Sequence, residues 1–264
     1  TLSSSSAASD VYKRQALRKP IIAWTWEPDR FDNNTDAYFQ RHLHLGCYLT
    51  APVPGNDHTI LPDPQRDPYF YDYGPLLDAM RGKRWVLTEH CIEVEGGKAL
   101  ANLFEVPGGY VAPITLAAEA ASVRVQLQGL PMLPGQQGYR IEALLPGEEK
   151  PVALEASAAS LDRLVVDVPV KRGCAMLTLK YARLEPETSY FTDSVNVRLD
   201  TTLKDVSWHY ALDGSEPSVD SPTYQTPLEL QQTTLVKMAS FRENKRIGLA
   251  LEKEYVKLPP NESD

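Results

Sequence analysis

The sequence predicts a mainly β protein, with two consecutive β-sandwich domains preceded by a parallel βαβα unit. Three observations carry this. Between Ala16 and Lys83, two short apolar runs each lead into a stretch with helical periodicity. From Arg84 to Ala182 the chain is a succession of short runs that alternate apolar and polar residues, broken by Gly and Pro. A third block, Tyr190 to Lys257, has the same grain, and the polar stretch RLEPETSYFTD, Arg183 to Asp193, separates it from the second as an expected linker. The expected domains are therefore 16–83, 84–182 and 194–258, with 183–193 between the last two and 259–264 as a tail.

In the first block, KPIIAWTW (Lys19 to Trp26) reads as a buried strand, and WEPDRFDNN turns it into a loop. Thr35 is placed to cap the helix that follows. Tyr38, Phe39, His42, Leu43 and Leu45 recur there at helical spacing, and Gly46 is the residue type expected just past a helix end. GCYLTAPVP is a second strand. After the loop GNDHTILPDPQRDPYF, the segment YDYGPLLDAMRG sets Tyr73, Leu76, Leu77 and Met80 on one face of a second helix, closed by Gly82. Strand, helix, strand and helix in that order belong to a parallel sheet. His42 and His44 are two apart on their helix, so they point to different faces and are structural, not a metal pair. The acidic residues of PDPQRDPYFYD lack the ordered spacing of a calcium loop. No metal and no cofactor is expected.

The second block supplies WVLTEHCIEVEGG, ALANLFEVPGGYVAPITLA, ASVRVQLQGL, GYRIEALLPG, LDRLVVDVPV and CAMLTLKYA. Val123, Val125 and Leu127 alternate with Arg124, Gln126 and Gln128, the pattern of an antiparallel strand with one buried face. In the third block Trp208, Tyr210 and Leu212 alternate with His209 and Ala211. Asp213-Gly214 then supplies a hairpin turn, leaving Trp208 or Tyr210 for the core.

Composition narrows the partners. With 27 Lys and Arg against 35 Asp and Glu, the net charge is −8, which excludes a nucleic-acid partner because phosphate binding needs a basic footprint. No apolar run approaches the length of a membrane span. Cys47, Cys91 and Cys174 are far apart and without C-x-x-C spacing, so they read as buried free thiols.

Residues 1–15 stand outside this pattern. Ser5 to Gln15, SSAASDVYKRQ, resembles a translated sequencing-library adaptor codon by codon, and this implies that 1–15 is an artefact without a packed role. It also implies that Ala16 is an interior residue of a longer native protein. On that expectation the βαβα unit is the remnant of a truncated (β/α)8 barrel, its last β/α units; an isolated doubly wound fold is the alternative. WTWEPDRF, YLTAPVPGNDH and YGPLLDAMRGKRWVL resemble the end of a bacterial glycoside-hydrolase TIM barrel followed by its C-terminal β-sandwich.

The third block carries the most specific motifs: Y-x-L-D-G-S-E-P (Tyr210 to Pro217), S-P-x-Y (Ser221 to Tyr224) and T-T-x-x-K-x-x-x-F (Thr233 to Phe241). They resemble the chitobiase and β-hexosaminidase C-terminal domain, a small immunoglobulin-like β-sandwich also found at the ends of some fucosidases. Met238-Ala239-Ser240 departs from the family's usual small-residue and Arg pattern.

These resemblances imply a carbohydrate partner and a site at the ends of the parallel strands, where the catalytic groups of a barrel lie. That rule selects Trp24, Trp26 and Glu27 after the first strand, and Asn56, Asp57 and His58 after the second. Trp24, Trp26 and Asn56 suit substrate binding, since an indole face packs on a pyranose. Glu27, Asp57 and His58 are the candidates for proton transfer. Four of them have a plainer explanation: the indoles can fill the layer between sheet and helices, Glu27 can begin the turn at Pro28, and Asp57 can make an Asx turn, which leaves His58 as the better candidate. The expected parent is an exported glycoside hydrolase, extracellular, periplasmic or on the cell surface, its signal peptide and the rest of its barrel upstream. Its catalytic carboxyl pair is expected upstream too, so the fragment itself is expected to be inactive. The alternative is a non-catalytic carbohydrate-binding or surface protein built of β-sandwich modules.

Overall fold

A computed structural model describes residues 19–23, 31–50, 62–95, 98–117, 120–129, 138–159 and 163–259. They divide into two compact units, the first drawn from residues 19–106, 110–129 and 140–179, the second from 107–109, 138–139 and 180–259. The adaptor-like residues 1–15 lie outside the described part. The described chain is mainly strand, with two short helices.

The first unit opens with β1 (Ile21–Ala23) and β2 (Cys47–Leu49), which pair in parallel through Ile21↔Cys47, Ile22↔Tyr48 and Ala23↔Leu49. Helix α1 (Thr35–His44) lies between them in sequence, and α2 (Asp67–Asp78) follows β2. The cap of α1 is Asn34 and not Thr35: the Asn34 side chain accepts from the Ala37 N–H at 3.0 Å, while the Thr35 hydroxyl donates to the Phe31 carbonyl. Either side chain can fill this role, and the one that precedes the first helical turn does. Gly46 ends α1 as expected, at φ +64°. Helix α2 starts earlier than YDYG, at Asp67, with proline in its first turn, where a missing N–H leaves nothing unsatisfied.

One face of this small sheet is covered and the other is not. Cys47 and Leu49 are buried, whereas Ile22 is 69% exposed. The covered face shares a core with both helices through Phe39, Leu43, Tyr73, Leu76 and Met80, with Phe39 and Tyr73 stacked at 4.7 Å. Leu77, expected on the same helical face, is only partly buried. This core continues without a break into Trp85, Phe104, Val111 and Met176 of the following strands, across the boundary expected near Lys83.

Those strands are β3 (Arg84–Trp85), β4 (Ile92–Glu95), β5 (Leu100–Ala101), β6 (Phe104–Val106), β7 (Gly109–Thr115), β8 (Ser122–Gln128), β9 (Arg140–Leu144), β10 (Val152–Leu154), β11 (Ala156–Ala159), β12 (Arg163–Pro169) and β13 (Ala175–Lys180). They form two sheets: β10-β9-β13-β7-β6-β3 with β5 on β7, and β11-β12-β8-β4. The alternation in β8 is realised as predicted, with Val123, Val125 and Leu127 buried and Arg124 outside, paired to its cross-strand neighbour Asp167 at 2.9 Å.

The link from β12 to β13 turns at Arg172 (φ 54°) and Gly173 (φ 74°), beside the bridge Lys171↔Cys174. Arg172 places its guanidinium between the helices, 2.5 Å from Asp36 of α1 and 2.5 Å from Asp72 of α2, and over the rings of Tyr69 and Tyr73. Tyr73 donates to the same Asp36 oxygen at 2.8 Å. Gln40 donates to the Arg172 carbonyl at 2.7 Å and accepts from the Leu116 N–H at 2.8 Å. Burial pushes the Tyr73 phenol and the Cys174 thiol well above their ordinary ranges, so both stay protonated.

The second unit contains β14 (Ala182–Glu185), β15 (Tyr190–Phe191), β16 (Val195–Thr201), β17 (Ser207–Ala211), β18 (Leu228–Leu230), β19 (Thr234–Arg242) and β20 (Lys245–Lys257). Its sheets run β14-β16-β18 and β15-β20-β19-β17, a sandwich with the strand count of an immunoglobulin-type domain. Arg183–Asp193, expected as a linker, supplies β14 and β15. Polar as it is, the stretch buries Leu184 while Arg183 faces Asp200 across the strand pair. Trp208 lies in the core, but Asp213-Gly214 is not a hairpin turn. β17 pairs with β19, and β18 pairs with β16 in the other sheet, so the chain crosses between sheets there. What Asp213 does is accept from the Ser215 N–H, an Asx turn with Gly214 at φ +82°. The hairpin of this unit is β19 to β20, joined by Glu243 (φ 49°) and Asn244 (φ 61°) in the left-handed two-residue turn that matches strand twist.

Arg172→Leu is expected to lower the urea midpoint of the first unit by the equivalent of about 2 kcal/mol, because two carboxylates lose a shared charged donor. Arg124→Leu, which removes an exposed pair, is expected to leave the midpoint in place. Intrinsic fluorescence during urea titration reads both. In the second unit Glu216 binds Lys237 and Arg246, and the Lys237 hydrogen bond first of all holds its carboxyl below the ordinary range. Its contribution is present above the unfolded value, about 4.3, and is lost as pH falls through the lower folded value. Glu216→Gln is expected to lower the neutral plateau of a stability-against-pH curve and to flatten its acid limb, with the acid end unmoved.

Candidate functional site

The six residues selected from the sequence, Trp24, Trp26, Glu27, Asn56, Asp57 and His58, lie outside the described residues. The structure does describe what bounds the two segments that carry them. Asp32 follows the first segment and Asp63 the second, and Arg66 at the entry to α2 binds both. Its Nε and one terminal nitrogen meet the two Asp32 oxygens at 2.9 and 2.6 Å, and its other terminal nitrogen meets Asp63 at 2.8 Å. Asp63 also accepts from the N–H groups of Gln65 and Arg66, and its own N–H donates to Asp67. The Arg66 hydrogen bond holds the Asp32 carboxyl below its ordinary range. The acidic residues of the Pro-rich loop are thus engaged with Arg66 and the first turn of α2. Among the described residues no cluster of three His, Cys, Asp or Glu side chains is arranged to hold a metal.

The two histidines of α1 make local contacts. His42 Nδ1 lies 2.7 Å from the Tyr38 carbonyl, four residues back, and burial lowers its pKa. His44 meets Asn102, whose side-chain amide donates to the His44 carbonyl at 2.7 Å.

A cavity of about 550 Å³ opens at the other end of the parallel unit, where the strands begin and α2 ends. Its walls include Pro20 before β1, Tyr48 of β2, Leu77 and Asp78 of α2, and Arg81 and Lys83 from the link to β3. Tyr48 faces it because alternation turns Tyr48 away from the covered side that takes Cys47 and Leu49. Burial, and after it the charge of Asp78, raises the Tyr48 pKa. Asp78 and Arg81 pair at 2.6 Å with exposed side chains, so they belong to the mouth. Lys83 belongs to the floor, being only 4% exposed. Its amine makes no hydrogen bond or ion pair among the described residues and sits 5.4 Å from the centroid of the Phe104 ring. Burial lowers its pKa, the expected response of an amine withdrawn from water.

Gly46 makes this floor. A Cβ there would stand 2.7 Å from Lys83 Cε and 2.9 Å from the Phe104 ring, at a φ of +64° that disfavours a side chain in any case. Sequence reasoning identifies Gly46 as the residue past a helix end and misses its second role. It misses Lys83 as well, since RGKR after a helix reads as a solvated basic turn. The signal that could have found this face is the strand period of two in GCYL, which sets Tyr48 opposite Cys47 and Leu49.

Gly46→Ala is expected to destabilise the first unit by about 1–3 kcal/mol, through the left-handed backbone and the collision with Lys83 and Phe104. Thermal unfolding compared with Gly74→Ala, where an added Cβ meets nothing within 4 Å, checks this.

No curated protein matches the chain. Residues 186–247, which run from the approach to β15 into β20 and include all three motifs of the third block, match the family described as Chitobiase/beta-hexosaminidase C-terminal domain.

Proposed function

We propose that the chain is the C-terminal region of an exported glycoside hydrolase acting on oligo- or polysaccharide. Its β-sandwiches are ancillary modules, and the parallel unit, as part of a (β/α)8 barrel, contributes one part of the substrate-binding face. The observation that carries this is the family match at residues 186–247, a domain named after the C-terminal ends of chitobiase and β-hexosaminidase. The parallel unit adds support, since β1 and β2 pair only with each other among the described residues and leave Ile22 69% exposed. Apolar strand faces of this kind are covered in a larger parallel sheet. Trp24, Trp26 and Asn56 are proposed as sugar contacts, with Glu27, Asp57 and His58 beside them. A hydrolytic site needs two carboxyl groups across the scissile bond, and in sequence Glu27 and Asp57 follow the paired strands β1 and β2. Extracellular, periplasmic or surface location follows from the same proposal.

The second sandwich is proposed as a packing module and not a sugar platform. Trp208 is buried, and the Tyr224 hydroxyl accepts the Leu199 N–H, so both aromatics are occupied internally. A non-catalytic carbohydrate-binding protein is the rival, favoured by the share of the described chain that is sandwich.

The purified chain, titrated with chito- and gluco-oligosaccharides and assayed on a panel of aryl glycosides, separates these. Weak saccharide binding, reduced at least about tenfold by Trp26→Ala, with hydrolysis at background, is the expected result. Turnover that disappears in Glu27→Gln would show a complete catalytic site within this chain. Saccharide binding indifferent to Trp26→Ala would move the contact away from the strand ends.

A further inference from the structure

The cavity at the start of the parallel strands holds a chemical imbalance. The described residues that line it include one carboxylate, Asp78, and two cationic side chains, Arg81 and Lys83. Asp78 and Arg81 satisfy each other at the mouth, at 2.6 Å and in contact with water. Among the described residues Lys83 is left at the floor with no hydrogen-bond acceptor and no ion pair. A buried amine is either discharged or paired, because an isolated charge in apolar surroundings is strongly unfavourable. Lys83 is among the residues that line a cavity of ligand size, about 550 Å³, within the range that small-molecule sites occupy, while its amine is withdrawn from that space onto the Phe104 ring.

We propose that this cavity binds a monosaccharide-sized sugar acid, a hexuronate, with its carboxylate on Lys83, its ring against Tyr48 and its hydroxyls on Asp78 and Arg81. Lys83 reaches the carboxylate by turning its terminal bonds away from Phe104, exchanging a weak ring contact for a charge-assisted hydrogen bond. Tyr48 offers an aromatic wall to the apolar face of a pyranose. Asp78 accepts from hydroxyls while Arg81 donates to them, and this separates a sugar acid from a simple aliphatic acid, which has no hydroxyl for either. The site is built from Tyr48, Asp78, Arg81 and Lys83, none of which the proposed function uses, so it goes beyond that reading and does not depend on it.

The test uses the full chain and four probes: D-glucuronate, D-galacturonate, D-glucose and propionate, by ligand-observed NMR and by the rise in thermal midpoint. A uronate is expected to bind, with at least about tenfold weakening in Lys83→Met, a substitution that keeps the length of the side chain and removes its charge. Tyr48→Ala is expected to weaken the uronate by a similar factor, and Trp26→Ala to leave it unchanged. Should Lys83→Met fail to fold, the Tyr48→Ala result and the order of the four probes decide. Glucose binding as tightly as either uronate, uronate binding untouched by Lys83→Met or by Tyr48→Ala, or no uronate binding at all would overturn the proposal. Propionate equal to the uronates would overturn the sugar part of it. The strand-end site is read separately, through Trp26→Ala on neutral oligosaccharides.

Discussion

The first unit depends on one cation. Two parallel strands and two helices are too little structure to be stable alone, since a pair of strands buries only one face of itself and needs a partner layer. Arg172 provides the tie. It comes from a turn between two sandwich strands, reaches between α1 and α2, and binds a carboxylate from each. Around it the backbone is satisfied as well, through Gln40 on the Arg172 carbonyl and the Leu116 N–H. Because the same side chain lies over Tyr69 and Tyr73, the polar tie and the aromatic core fix the same helix positions. Unsatisfied, such a cluster would weaken the fold; complete, it selects one docking of helices on sheet.

Arg172 and Lys83 show two fates of a cation in one unit. Arg172 keeps partial contact with water and has two anions and two rings around it. Lys83 has lost the water and, among the described residues, meets the face of Phe104 with no anion beside its amine. Sequence composition treats both as surface charges. The difference arises from placement: a left-handed turn projects Arg172 between two acidic helix positions, while a glycine without a side chain lets Lys83 lie flat against an aromatic ring.

Much of the fold was legible where one residue pattern maps to one structural role. Period-two alternation marks β8 down to the residue, and Leu43, Tyr73, Leu76 and Met80 mark the buried faces of the helices. The motifs of the third block identify its sandwich. What escapes the pattern is nonlocal. Arg183–Asp193 looks like a linker because its polar side chains hide the fact that its backbone is needed at two sheet edges. Asp213-Gly214 has the composition of a hairpin turn, yet the strands beside it belong to different sheets, a matter of pairing that no dipeptide records. The true hairpin turns on Glu243-Asn244, without glycine. The candidate site divides the same way: residue types single out the strand ends, whereas the Lys83 cavity depends on Gly46 with Tyr48, on Lys83 and on Phe104, which meet from three separate segments.

That tight Glu243-Asn244 connection also bears on the order in which the second unit assembles. β19 and β20 meet across two residues, so their pairing requires almost no loop closure, whereas joining β17 to β19 or β16 to β18 means gathering segments far apart in the chain. The quickest nucleus of the domain is therefore the part that leaves the ribosome last. Strand β15, whose partner is β20, emerges early and must wait until residues past Lys245 exist, whereas β14, β16 and β18 find their partners among themselves; during synthesis the sheet that begins with β15 is completed from its far end.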